Sequence, residues 1–355
     1  MCLCTLIMAF YALDVKDHKI LAALDENARQ PNSAIGKNVG LSKESVKYRI
    51  DRLLGRGIIL RFHTVVNYFR LGIVKYKLYL RLTNASKQKR EDIARYFCGH
   101  KKTEWVVLTT GRWDLIVGFL VRNVNEFDDE VQRAATLFAP YIQEKAVTTT
   151  LHLAHVARAF LKGSTQETAT QLVYHTTKDP REEIDETDES ILKLIANNAR
   201  LPVTDIAQRV HTTPRIVQYR LKELEREKII LAYKAHLDPK PIGRIFCKAI
   251  LFLTNTTKER LNRFVSYAAS LPSAVWPQRV MGSWDFELDV EAEGYDRFQD
   301  IILSLKERFP ELIRSHEFCI TSTEFKLDLF PGCLREIMPR NPLRKLYKPS
   351  PIGAP

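Results

Sequence analysis

Two basic segments carry side chains suited to a polyanion, and they lie 171 residues apart. The first presents Lys43, Lys47, Tyr48, Arg49 and Arg52, and the second Arg215, Gln218, Tyr219, Arg220 and Lys222. Arginine and lysine pair with guanine edges or phosphates, glutamine matches an adenine edge, and tyrosine can bond a phosphate. Arg61 adds a cation just beyond the first segment. The chemistry these residues offer is recognition of double-stranded DNA; the alternative is a solvated charged face on a small helical bundle. A second pair of patterns is Gly111, Arg112, Trp113, Asp114 and Gly282, Ser283, Trp284, Asp285. Glycine permits positive φ and close approach of backbone N–H groups to a ligand, and the aspartate could take an ammonium group. The alternative is a tight β-turn whose aspartate caps backbone amides. No phosphate-cradling glycine loop, metalloprotease helix or Ser/His/Asp arrangement is present. His152 and His155 have no cysteine or carboxylate cluster nearby, and the six cysteines form no C-x-x-C pair, which suggests reduced thiols. The chain is therefore expected not to be an enzyme and to need no catalytic residue, cofactor or metal.

The elements that position these residues occur twice. At an offset of 171, Leu13 to Thr150 aligns without a gap on Ile184 to Thr321: Asn27, Ala28, Arg29 fall on Asn198, Ala199, Arg200, and Trp113, Asp114 on Trp284, Asp285. Each copy opens with apolar residues at helical period: Ile20, Leu21 and Leu24, then Ile35 and Val39, then Val46, Ile50 and Leu53. Three short helices follow one another, the third opened by Ser42 or by Thr213 with Pro214. The β-rich run after Gly57 reads as a hairpin or wing. Beyond it, alternating Tyr76, Leu78, Leu80 and Leu82 begin a strand–helix–strand–strand–helix–strand order, the ferredoxin-like plan. Such a sheet has helices on one face only, and the other repeat is the obvious cover for the bare face.

Length and charge agree with this division. The 355 residues exceed one ordinary domain, and the net charge of +12 favours polyanionic or acidic partners. Residues 1–177 hold 26 basic and 16 acidic side chains, whereas residues 178–355 hold 28 and 26, so the first head is expected to be the stronger electrostatic anchor. No run of apolar residues is long enough for a membrane span, and the apolar start, with a second candidate start at Met8, lacks the features of a secretory signal. A cytoplasmic protein without a membrane partner is expected.

The pattern from Leu13 through Asn27-Ala28-Arg29, then Ile35 to Leu53, then Gly57 to Phe62, resembles the Lrp/AsnC transcription regulators, and the second copy from Ile184 resembles them equally. The resemblance implies an α+β chain with two winged helix-turn-helix heads and two ferredoxin-like ligand-sensing domains (the RAM type), paired as an intrachain pseudo-dimer. Homo-oligomers of it stay an open alternative. It places the DNA contacts on the two basic segments. It places an amino-acid or small-metabolite effector at Gly111, Trp113, Asp114 and at Gly282, Trp284, Asp285. The expected division is residues 1–68 (N-terminal segment and first head), 69–160 (first sensing domain), 161–183 (linker), 184–239 (second head), 240–330 (second sensing domain) and 331–355 (basic, Pro-rich tail). The alternative reading is an enzyme, because siroheme decarboxylases resemble the same fold and bind a tetrapyrrole carboxylate near the wing. The stretch Arg61, Phe62, His63, Asn67, Tyr68 is compatible with that, and Lys234 stands at the position of His63 in the second copy.

Overall fold

A computed structural model of the chain describes residues 11–163, 171–175 and 184–330. The candidate start at Met8, most of the linker and the tail from 331 lie outside the described residues. The first head comprises α1 (Val15–Glu26), α2 (Asn32–Val39), α3 (Lys43–Gly55) and β1 (Ile59–Val66). The first ferredoxin-like domain follows as β2 (Val74–Leu82), α4 (Lys87–Cys98), β3 (Thr103–Gly111), β4 (Leu115–Val121), α5 (Val124–Phe138) and β5 (Ile142–Val156). A short β6 (Gln171–His175) pairs with the end of β5. The second head is α6 (Glu186–Ala196), α7 (Val203–Arg209), α8 (Pro214–Arg226) and β7 (Ile230–Leu237). The second ferredoxin-like domain is β8 (Ile245–Leu253), α9 (Lys258–Ser270), β9 (Ala274–Gly282), β10 (Phe286–Ala292), α10 (Tyr295–Arg308) and β11 (Ile313–Leu327).

The heads differ from the winged plan in one respect. β1 makes no hairpin within its own head; it pairs antiparallel with β7 of the other, His63 opposite Lys234. Backbone bonds across the heads are reciprocal. Ala28 N–H donates to Tyr233 O and Ala199 N–H to Phe62 O, while Asn67 N–H donates to Ile229 O and Asp238 N–H to Ile58 O. Contacts that repeat with the partners exchanged define an isologous, two-fold interface. One continuous apolar core, including Ile20, Leu24, Ile50, Ile191, Ile195 and Leu221, serves both heads.

The two sheets meet as expected and also join at their edges. Strands run β2-β4-β3-β11-β8-β10-β9-β5, and β5 pairs back onto β2, so eight antiparallel strands close into a barrel. Closure uses the two long strands: β5 pairs with β2 over 142–149 and with β9 over 148–153, and β11 pairs with β8 over 313–320 and with β3 over 319–327. A closed barrel leaves no unpaired edge among these eight strands. Their outer faces are covered by helices, Leu78, Leu80 and Val117 against Ile93, Phe97 and Phe127 in the first repeat. Leu251, Leu288 and Val290 meet Phe264, Phe298 and Ile302 in the second.

Candidate nucleic-acid interface and an internal histidine-lined cavity

The turn between α2 and α3 is made by Gly40 at φ 66, and its counterpart His211 sits at φ 53. Ser42 Oγ accepts from Ser45 N–H and Thr213 Oγ1 from Ile216 N–H, which caps α3 and α8 at equivalent points. Val46, Ile50 and Leu53 on α3, and Val217, Leu221 and Leu224 on α8, anchor the inner faces. The opposite faces are exposed: Lys43, Lys47 and Tyr48 on one helix, Arg215, Gln218, Tyr219 and Lys222 on the other. Both tyrosines project into solvent, 68% and 52% exposed, where a phosphate could reach the hydroxyl.

The remaining arginines have a second task. Arg49 Nη1 lies 2.7 Å from both Asp14 and Asp17, and Arg52 Nη2 lies 2.7 Å from Asp17. Arg220 repeats the pattern at 2.5 Å from Asp185 and 3.1 Å from Asp188. Asp14 and Asp185 are the N-caps of α1 and α6, so each arginine fixes the third helix of its head to the start of the first. The Arg49 guanidinium holds the Asp14 carboxyl below its ordinary range. Arg61, expected on the DNA face, turns inward and donates to Leu327 O, its guanidinium half-buried at the base of the head. The expectation is corrected there, because the strand bearing Arg61 is paired across the heads and directs it at the barrel.

The Gly-x-Trp-Asp loops are also placed differently from a ligand cleft. Trp113 and Trp284 are buried 6.0 Å apart inside the barrel, and Tyr79 packs 4.6 Å from Trp284. Asp114 accepts from Leu82 N–H and meets Arg90 at 2.5 Å, while Asp285 accepts from Leu253 N–H. Gly111 and Gly282, at φ 118 and 139, pass directly under β11 and β5 of the opposite repeat. A Cβ at Gly111 would strike Phe318 O, and one at Gly282 would strike Val147 O. The glycines are needed for barrel closure and the aspartates cap backbone amides, as the turn reading of this pattern requires.

The open space lies elsewhere. A cavity of about 360 Å³ separates the paired β1 and β7 from one end of the barrel. His63 and His236 enter from the heads, His155 and Arg158 from the end of β5, and Lys75, Trp105, Trp276 and Glu324 from the barrel. His155 stacks on Trp276 at 3.9 Å. Among the described residues, neither ring nitrogen of His63 or His155 has a hydrogen-bond partner, nor has Nδ1 of His236. Burial pushes all three imidazoles down, His236 to about 3, with neighbouring cations adding to the effect. They are neutral imidazoles, each with one donor and one acceptor nitrogen to offer a molecule in the cavity. Glu324 accepts from Trp105 Nε1 at 2.9 Å and faces His236 Nε2 at 3.3 Å. Burial pushes its carboxyl up to about 7. Its side chain, 29% exposed, lines the cavity wall.

Below the cavity the barrel holds buried ion pairs. Lys77 meets Glu287 at 2.5 Å, and Lys248 meets Glu287 at 3.0 Å and Asp289 at 2.7 Å. Arg158 bridges Asp25 of α1 at 2.7 Å and Glu291 of β10 at 2.8 Å, joining the first head to the second repeat. Sequence reasoning singled out His63 as compatible with a tetrapyrrole site and dismissed His155 as a metal ligand. It passed over His236, Glu324 and Arg158, which no local motif marks.

An AsnC-type helix-turn-helix domain is matched at residues 13–54 and again at 184–225. An HTH-type transcriptional regulator of Pyrococcus furiosus is 31% identical over 116 residues, 32% of this chain and 77% of that protein. The proline dehydrogenase transcriptional activator of Rhodobacter capsulatus is 28% identical over 120 residues, 34% of this chain and 78% of that protein. Among solved structures, the siroheme decarboxylase NirDL superposes over 91% of this chain and 98% of its own, with a TM-score of 0.59 at 12% identity. Its co-complex with an iron-uroporphyrin III analogue gives 0.58 at 13% identity. At such identity the likeness establishes a common fold. It also corrects the expectation that the chain is not an enzyme, since an enzyme has this same whole-chain architecture.

Proposed function

The chain belongs to the Lrp/AsnC family of DNA-binding transcriptional regulators in tandem-duplicated form, and from that premise we propose that it regulates transcription in response to a small metabolite held in the central cavity. The observation that carries this reading is that a single cavity takes its walls from both heads, through β1 and β7, and from the barrel. A ligand there touches all the bodies whose relative setting decides how α3 and α8 meet a duplex. It alters DNA affinity to the extent that it binds one setting better than another. The lining suits a molecule with an apolar body and a few polar groups: Trp105, Trp276, Phe246 and Leu153 offer the first surface, and the three neutral histidines offer hydrogen bonds. The test is a fluorescence-anisotropy titration of duplex DNA with the full chain, at one stated salt concentration, with and without pooled amino acids. A shift in affinity that is lost when His155 is replaced by phenylalanine is the expected result. An affinity indifferent to the pool removes amino acids as effectors.

A second reading rests on the same cavity together with the whole-chain likeness to the siroheme decarboxylase. Loss of a carboxylate as CO₂ breaks a C–C bond, and the carbon left behind takes up one proton. Glu324, pushed up to about 7 and set 3.3 Å from His236, holds a proton near neutral pH at the cavity wall. His63 and His155 supply further neutral donors for a substrate carboxylate. Spectral titration with siroheme decides this: stoichiometric binding followed by release of CO₂ establishes the enzyme, and absence of binding rules it out.

A further inference from the structure

The two-fold relation between the heads is one of backbone, not of side chains. α3 and α8 share their frame: the capping hydroxyls Ser42 and Thr213, the exposed Tyr48 and Tyr219, and the arginines Arg49 and Arg220 tied to aspartates of the first helix. At the other exposed positions they disagree. Glu44 corresponds to Arg215, Ser45 to Ile216, Lys47 to Gln218 and Asp51 to Lys222. Two of these pairs reverse charge, one replaces a cation by an amide, and one replaces a hydroxyl by an apolar side chain left 44% exposed. The residues at the start and outer face of a recognition helix are the ones that reach base edges, whereas tyrosine and the tethered arginine suit phosphates and carry no sequence information.

We propose that the chain reads an asymmetric DNA site made of two unlike half-sites, and so binds its duplex in one orientation only. This rests on the regulator reading. The half under α8 is read by Arg215 at a guanine, by Gln218 at an adenine and by Ile216 against a thymine methyl group. The half under α3 is read by Lys47 at a guanine, with Lys43 on the adjoining phosphate. A homodimer of single-headed chains would present one helix twice and call for a palindrome. Carrying both heads in one chain frees each helix to change alone, and these exposed pairs have done so.

Selection of bound duplexes from a random library by the full chain tests the proposal. The expected consensus has two halves that are not inverted repeats of one another. Arg215→Ala, at an exposed position outside the core, is expected to relax the preference at one base pair of one half by about tenfold to a hundredfold and to leave the other half unchanged. The set Arg215→Glu, Ile216→Ser, Gln218→Lys and Lys222→Asp makes α8 resemble α3 and is expected to draw the consensus toward an inverted repeat. A palindromic consensus from the unmodified chain, or an Arg215→Ala effect shared by both halves, overturns the asymmetry while leaving DNA binding intact. Failure to retain any duplex overturns the regulator reading and this proposal together.

Discussion

Replacing Glu287 by leucine is expected to destabilise the chain by about 3–5 kcal/mol, because it leaves Lys77 in the barrel without its counter-charge and removes one of the two carboxylates facing Lys248. Glu287 is fully buried and also accepts from Thr148 and from Trp284, so its oxygens satisfy four donors drawn from both repeats. Burial alone would raise its carboxyl, but Lys248 and Lys77 reverse that and hold it well below the usual range. A depressed carboxyl contributes stability that is present above the unfolded value of about 4.3 and lost as pH falls through the folded value. Lys77 costs stability at neutral pH, where it must be charged while buried. Burial lowers it to about 8 despite Glu287, so between pH 8 and about 10.4 the unfolded chain binds more protons and stability rises with pH. Urea unfolding followed by circular dichroism at pH 7 measures the loss. Adding Lys77→Met to Glu287→Leu should recover part of it, since the uncompensated charge then goes too. A leucine variant with an unchanged midpoint would mean that water reaches these charges and that the barrel interior is not closed.

This network explains what could and could not be read before the structure. Helix positions were legible, because the apolar period of Ile20, Leu21, Leu24 or Val46, Ile50, Leu53 has one solution on a 3.6-residue repeat. The strands were legible as strands, with Phe286, Leu288 and Val290 alternating against Glu287, Asp289 and Glu291. Alternation of that kind ordinarily means one wet face. Here the charged face is the inside of a barrel, and every residue of β10 is buried. Local pattern carries no information on closure, which depends on β5 and β11 extending past their own sheets to pair with the other repeat. The same limit hid the cavity. His63, His155, His236 and Glu324 sit on four different strands, and only the crossing of β5, the pairing of β1 with β7 and the far end of β11 bring them to one space. The Gly-x-Trp-Asp loops show the converse case: a strong local pattern whose glycines are explained by the approach of a strand from the other repeat and whose aspartates cap backbone amides.

Arg158→Met should produce the other large effect, again about 3–5 kcal/mol. The guanidinium is buried and makes a bidentate contact to Glu291 along with bonds to Asp25. Burial would lower its proton affinity, yet Glu291 and Asp25 more than compensate and raise it. Methionine keeps much of the volume and removes the charge, leaving Glu291 and Asp25 without the guanidinium that joins them. Asp25 belongs to α1 and Glu291 to β10, so the same change also loosens the first head from the barrel. DNA affinity should then fall even at temperatures where the fold survives, through loss of the preferred setting of α3 relative to α8. Urea midpoints, with anisotropy titrations on the same samples, separate these consequences. An unchanged urea midpoint would show that the two carboxylates remain hydrated, and a variant that binds DNA undiminished would show that the head is held by its apolar core alone.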